Sequence, residues 1–270
     1  MKRIFYSVLL LLFLPNYPTL SAQSIFDKAE AWLKENHLQI TYAHQLAWFK
    51  ESHITFVQPE YGRDIIFENV KARDNPQSFS IARGEIGTSQ FRVNIGLELS
   101  RKYSVFFSGT HLNYIVLTDN EYYRNGIWNG ERVSGRVRLE DYFAKLEHSN
   151  GLNTYNLGLK RNFWISTDST RNLQWALSVM PQVGAVFTGT QAGVYNSQRV
   201  YEHYDPGNII AGYNYALDFA SSWIFLNHLE LAVNLNYFQM LIRRAKLSED
   251  SYVRQKLRGF QYGLGLGYRF

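Results

Sequence analysis

Phe260-Gln261-Tyr262-Gly263-Leu264-Gly265-Leu266-Gly267-Tyr268-Arg269-Phe270 closes the chain. Every even-numbered residue in it is aromatic or leucine. The odd-numbered residues are Gln, Gly and Arg. Successive side chains of a strand point to opposite faces, so this segment has one wholly apolar face and one small, polar face. A soluble sandwich also alternates, but its exposed face carries many Lys and Glu. Here the second face has the composition of a tight interior. The apolar face must then point outward, into lipid.

The same pattern recurs upstream. In 91–99 the apolar positions are Phe91, Val93, Ile95, Leu97 and Leu99. In 173–187 they run from Leu173 through Trp175 and Val183 to Phe187. In 209–219 they are Ile209, Ala211, Tyr213, Tyr215, Leu217 and Phe219, and in 229–237 Leu229, Leu231, Val233, Leu235 and Tyr237. No stretch outside the N-terminus approaches the roughly 18 apolar residues of a spanning helix, so strands must do any spanning. The closing segment resembles the last strand of outer-membrane barrels, which end on an aromatic residue read by the assembly machinery. That resemblance implies a Gram-negative outer membrane, and it makes Tyr268 and Phe270 the assembly signal.

Short links belong to the periplasmic side and long ones to the outside. Arg101-Lys102, 165–171 and 220–227 are short. The longer polar stretches 73–88, 119–138, 189–207 and 243–258 alternate with them. Strands are expected near 89–100, 103–118, 152–164, 172–188, 208–219, 228–242 and 258–270, with 139–151 continuing the third of these above the membrane. Candidates at 39–49, 53–58 and 64–72 leave the count at eight or ten. The fold class is an all-β transmembrane antiparallel up-and-down barrel.

Residues 1–22 read as a signal peptide, with Lys2 and Arg3 before the apolar run Phe5–Leu14 and a cleavage site after Ala22. Residues 23–37 read as a periplasmic amphipathic helix with Ile25, Phe26, Ala29, Trp32 and Leu33 on one face. The barrel takes 38–270. Losing the leader lowers the formal charge from +5 to +3. No Lys/Arg run suggests nucleic acid. The chain has no Cys, which excludes disulfides and thiolate chemistry. No cofactor or metal is expected, and the partner is the lipid bilayer, with lipopolysaccharide as a second candidate.

The alternation places Arg92, Lys160 and Arg269 in the lumen against Glu98, Asp218 and Glu230. Three charges of each sign can pair, and unpaired each would be costly. Eight strands leave an interior just filled by side chains, which points to a filled lumen and a structural or surface-interaction role. A narrow pore is the alternative. His111 is expected as a lumen hydrogen-bonding group, and His203 lies in an expected outer loop. The stretch with Asp119, Glu121, Tyr122, Tyr123 and Trp128 reads as another outer loop, with Arg124, Arg132, Arg136 and Arg138 able to meet lipopolysaccharide phosphates.

One segment suggests chemistry. Glu147-His148-Ser149-Asn150-Gly151, followed by Asn153, resembles the active-site strand of lipid A 3-O-deacylases, where a histidine and a serine two positions apart share a face. That resemblance implies an acyl hydrolase. In this chain His148 and Ser149 are adjacent, so a regular strand splits them between two faces, and only a bulge at Asn150-Gly151 would reunite them. Together with Phe67-Glu68-Asn69-Val70-Lys71-Ala72-Arg73-Asp74-Asn75-Pro76, the segment also resembles small outer-membrane barrels of Bacteroidota-type bacteria, which implies a fold and a compartment.

Overall fold

The computed structural model describes residues 37–73, 90–195 and 201–270, with short pieces at 31, 79–80 and 85–86. The leader at 1–22 and nearly all of the expected helix at 23–37 lie outside the described residues. In chain order the strands are β1 (Leu38–Phe49), β2 (Ser52–Gln58), β3 (Arg63–Val70), β4 (Ala72–Arg73), β5 (Phe79–Ser80), β6 (Glu85–Ile86), β7 (Phe91–Ser100), β8 (Tyr103–Leu112) and β9 (Ile115–Val116). They continue as β10 (Glu121–Trp128), β11 (Glu131–Arg138), β12 (Phe143–Asp168), β13 (Leu173–Tyr195), β14 (Tyr201–Tyr204), β15 (Ile209–Phe225), β16 (Leu229–Lys246) and β17 (Tyr252–Arg269).

Eight of these close a ring, in the order β1-β7-β8-β12-β13-β15-β16-β17, and β17 pairs back onto β1. Every neighbour in the ring is antiparallel. The count is therefore eight. The candidates at 53–58 and 64–72 are not additional spanning strands. They form the β2–β3 hairpin, which adds to the far end of β17 through Val57↔Tyr252 to Ile54↔Gln255. β10 and β11 extend the same sheet from β3.

Closure removes every free edge from the ring. Its outer surface carries the apolar faces read from the sequence. Tyr262, Leu264 and Leu266 are 53%, 64% and 67% exposed, an exposure that suits hydrocarbon and not water. Ala211 is a correction: a bulge between Val186 and Phe187 turns it inward, 2% exposed, and Ile210 takes the outer position.

The long polar stretches are also corrected. Residues 121–138 form a hairpin, and β13, β16 and β17 run well past the expected boundaries. The reason is an inversion of faces along single strands. Below Gly259, β17 points Leu264 and Leu266 out and Gln261 in. Above it, Arg254, Lys256 and Arg258 point out while Val253 and Leu257 are buried. β16 does the same, with Asn234 and Asn236 inside below and Phe238, Met240 and Ile242 inside above. The lower half is built for lipid outside and polar groups inside. The upper half follows the soluble rule, with water outside and an apolar core inside.

That upper core is continuous. It gathers Phe49, Phe56, Phe67, Tyr114, Phe143 and Phe238 with Leu112, Leu139, Leu152 and Leu257. The rings meet edge to face, as in Phe56–Phe143 at 5.0 Å and Phe49–Tyr114 at 5.1 Å, a preferred aromatic arrangement.

Candidate functional site

The lower lumen is polar and occupied by ion pairs. Arg92, on β7, donates from Nη1 and Nη2 to the two oxygens of Asp218, on β15, at 3.0 and 3.2 Å. Both side chains are buried, at 1% and 5% exposure. Nearer the mouth, Lys160 lies 3.5 Å from Glu230. Arg269 reaches Glu230 at 3.3 Å and Glu98 at 3.6 Å. Gln39 donates to Glu98 at 2.9 Å. A cavity of about 30 Å³ lies between these groups, lined by Lys160, Asp218, Glu230, Asn94 and Ser178, which leaves room for about two water-sized molecules.

At the mouth itself Arg269 N–H donates to His228 at 2.8 Å and Phe270 N–H to Leu38 at 3.0 Å. The rings of Tyr268 and Phe270 meet at 4.9 Å. The last strand is thus sealed into the ring to its final residue.

The segment 147–151 sits in the upper half of β12. Register shifts between Ser149 and Asn153, and Gly151 adopts φ +73°, where a Cβ would come within 2.5 Å of the Leu112 carbonyl. A bulge is present where the sequence allowed one. His148 points into the core, 5% exposed. Its Nε2 donates to Gln255 Oε1 at 2.9 Å, and Gln255 Nε2 donates to Ser52 Oγ at 2.7 Å and to Tyr114 OH. The Tyr114 ring lies 5.0 Å from the imidazole. Glu147 faces the other way, 2.6 Å from Lys145. The nearby carboxylate needed to orient a catalytic imidazole is therefore on the opposite side of the strand. Ser149 contributes backbone pairing with Gly189, and Asn150 lies within the register shift that follows.

Burial holds His148 below the ordinary histidine value, against the hydrogen bonds its ring makes to Gln255 and the Gly189 backbone. Burial also pushes Tyr114 up to about 12. A buried base with a depressed value binds fewer protons folded than unfolded, so stability falls as pH drops below the unfolded value near 6.5. Urea midpoints measured at neutral pH and at mildly acidic pH should therefore separate for the wild type. The separation should shrink in His148→Gln, which cannot titrate. An equal separation in both proteins would mean the imidazole titrates at the same pH folded and unfolded.

Sequence reasoning missed a second buried centre at the tip of the upper half. Arg63 is 1% exposed. Its Nε donates to Asn129 Oδ1 at 2.8 Å and its Nη1 to Gln58 Oε1 at 2.7 Å. The guanidinium lies 4.9 Å from the Tyr61 ring and 4.6 Å from Trp128. Glu202 Oε2 is 3.8 Å away and accepts from Tyr204 OH at 2.9 Å. Gly62 makes this possible. It turns with φ +61°, and a Cβ there would meet Gly130 N at 2.9 Å, where the two hairpin tips are tied by Gly130 N–H to Gly62 O. Burial lowers the Arg63 value, partly offset by Glu202. One arginine thus joins the β2–β3 tip, the β10–β11 tip and β14.

His111 is corrected from lumen to outer surface. The even residues of β8 are buried and the odd ones face out. Its Nδ1 is 2.8 Å from Asn153 Oδ1, and its ring stacks on Phe91 at 5.5 Å. Of the arginines expected in one outer loop, Arg132, Arg136 and Arg138 share the exposed face of β11, while Arg124 lies over the Tyr142 ring at 5.0 Å. No group of three metal-ligating side chains occurs among the described residues.

The closed eight-stranded ring with an apolar outer belt defines a membrane-spanning β-barrel. No protein-family model matches the chain and no curated protein matches it in sequence. Among solved structures the chain is similar to the outer membrane protease OmpT from Escherichia coli, with 8% identity over 87% of this chain and 97% of that one and a TM-score of 0.46. It is also similar to Neisserial surface protein A, with 7% identity over 86% and 97% and a TM-score of 0.36. The attachment invasion locus protein Ail of Yersinia pestis gives 10% identity over 87% and 99% and a TM-score of 0.28.

Proposed function

We propose that the protein is an exported outer-membrane barrel of a Gram-negative bacterium that acts as a rigid, non-conducting surface platform. In this reading residues 1–22 are removed on export and residues 23–37 rest at the periplasmic face. Tyr268 and Phe270 are what the assembly machinery reads. The lipid bilayer surrounds the belt, and lipopolysaccharide contacts its outer rim. The observation that carries the reading is the continuous aromatic core above the polar lumen. A conducting barrel keeps a polar path from end to end, whereas any ion leaving the Arg92–Asp218 level here would have to pass Phe49, Phe238 and Phe143. The buried His148, with Glu147 turned away from it, gives no support to acyl hydrolysis.

Planar-bilayer recording tests the platform against the narrow pore. Pure wild-type protein should stay at background conductance. Trimming the plug in Phe49→Ala/Phe143→Ala/Phe238→Ala should raise it to discrete steps, provided the variant still inserts. Stepwise conductance in the wild type would reject the platform in favour of the pore.

A further inference from the structure

The outer surface of the upper half is not uniformly charged. Arg254, Lys256 and Arg258 all face out from β17, and Arg243 and Arg244 from β16. Lys50 joins them, its N–H bonded to the Arg258 carbonyl at 2.9 Å. The cross-strand pairs Lys256↔Leu241 and Arg258↔Gln239 put no carboxylate beside them. β16 above Glu230 and the whole of β17 contain no acidic residue. Glu51 is 3.7 Å from Lys71, Glu249 and Asp250 lie in the turn beyond β16, and Asp64 and Glu68 on the outer face of β3 are separated from β17 by β2. None of the six cations forms an ion pair among the described residues.

The backbone is shaped to crowd this charge. Register shifts between Ile242 and Ala245, so that Arg243 and Arg244 are both exposed in succession instead of one turning inward. Aromatic rings hold the heads in place. Arg243 lies 5.0 Å from the Tyr213 ring and donates to its hydroxyl at 2.8 Å. Arg244 and Arg254 flank Tyr252 at 5.2 and 5.0 Å, and Lys50 sits over Phe260 at 5.6 Å.

Height supplies the second argument. Phe260, Trp48 and Tyr237 ring the upper edge of the apolar belt, with Trp48 stacked on Phe260 at 6.1 Å. Arg258 is two residues above Phe260, about 7 Å along a strand, and Lys256 about 14 Å. With the usual tilt near 40° these heads stand about 5–10 Å above the hydrocarbon, the level of lipid headgroups.

We propose that this wall is a binding site for the phosphate groups of an outer-leaflet glycolipid, with Arg254, Lys256 and Arg258 as its centre and Lys50, Arg243 and Arg244 at its sides. Planar guanidinium groups bind phosphate oxygens two at a time, and the apolar belt below receives the acyl chains. The site rests on the outer-membrane reading above.

Protein purified in detergent would be titrated with bisphosphorylated lipid A, and with the same lipid stripped of both phosphates, in mixed micelles. Wild type should prefer the phosphorylated lipid by at least about tenfold. Arg254→Gln/Lys256→Gln/Arg258→Gln should weaken it on the order of a hundredfold and abolish the preference. Arg101→Gln/Lys102→Gln/Arg161→Gln removes as many exposed charges from the lower end of the barrel and should bind as wild type. If the first variant fails to fold, Arg243→Gln/Arg244→Gln should show the same loss in smaller degree. Equal binding of the two lipids, or an equal loss in the lower-end variant, would overturn the site. So would full displacement by millimolar inorganic phosphate, which would make it an anion site and not a lipid site. Conductance in planar bilayers with lipid preference intact would reject the platform reading and leave this site standing.

Discussion

Arg92→Met, with Asp218 left in place, should destabilise the barrel by about 3–5 kcal/mol, because it strands a charge inside the lumen. Asp218 is 4% exposed, and both its oxygens depend on the Arg92 guanidinium. Asp218→Leu alone should cost a similar amount, for the mirror-image reason. The double variant Arg92→Met/Asp218→Leu removes both charges and the demand for pairing together. It should recover most of the loss, since apolar replacements of a buried pair are often neutral or better. Urea unfolding in detergent of the two single variants and the double variant gives the coupling directly. Additive losses would mean the two side chains do not depend on each other.

Arg63→Ala should loosen the upper half without touching the membrane half. The substitution removes two charge-assisted hydrogen bonds and two ring stacks at once, worth about 3 kcal/mol together. Arg63→Lys restores the charge but neither the planar stack nor the fork, and should recover less than half. Limited proteolysis is the direct readout. Cleavage is expected near 59–62 and 129–130, where the two hairpin tips part, while the ring below stays intact. Uniform loss of protection along the chain would show that the two halves unfold as one.

The membrane half was legible because lipid imposes a strict rule on every second residue. Phe91–Leu99, Leu229–Tyr237 and Phe260–Phe270 obey it, and all three are ring strands. The upper half obeys a different rule, and reading it for lipid-facing alternation hides it. Val253, Gln255 and Leu257 alternate with Arg254, Lys256 and Arg258 as cleanly as any strand, but with the apolar face pointing in. The hairpin at 121–138 carries only Val133, Val137, Trp128 and Tyr122 as inward apolar anchors, spread thinly among glycines and arginines, so its polarity resembled a loop. Arg63 gave a weaker signal still. A buried arginine looks in sequence like any surface arginine, and its neighbours Asn129 and Glu202 are 66 and 139 positions away. His111 was misplaced by isolation: a single polar residue at the end of a strand does not reveal its face, although counting from Val105 and Phe107 would have.

The exchange of faces at Gly259 and Phe260 works as a waterline. A slip of β17 by two residues against its neighbours would keep every residue on its proper side. One direction would drag Arg258 below the surface, where a lipid-facing arginine costs up to about 2–4 kcal/mol as it approaches the midplane. The other would lift the Phe260 ring out of its berth. β16 carries its own mark at nearly the same level, between Tyr237 and Arg243. The molecule therefore floats at a fixed draught, and a bilayer of another thickness must thin or swell to meet it.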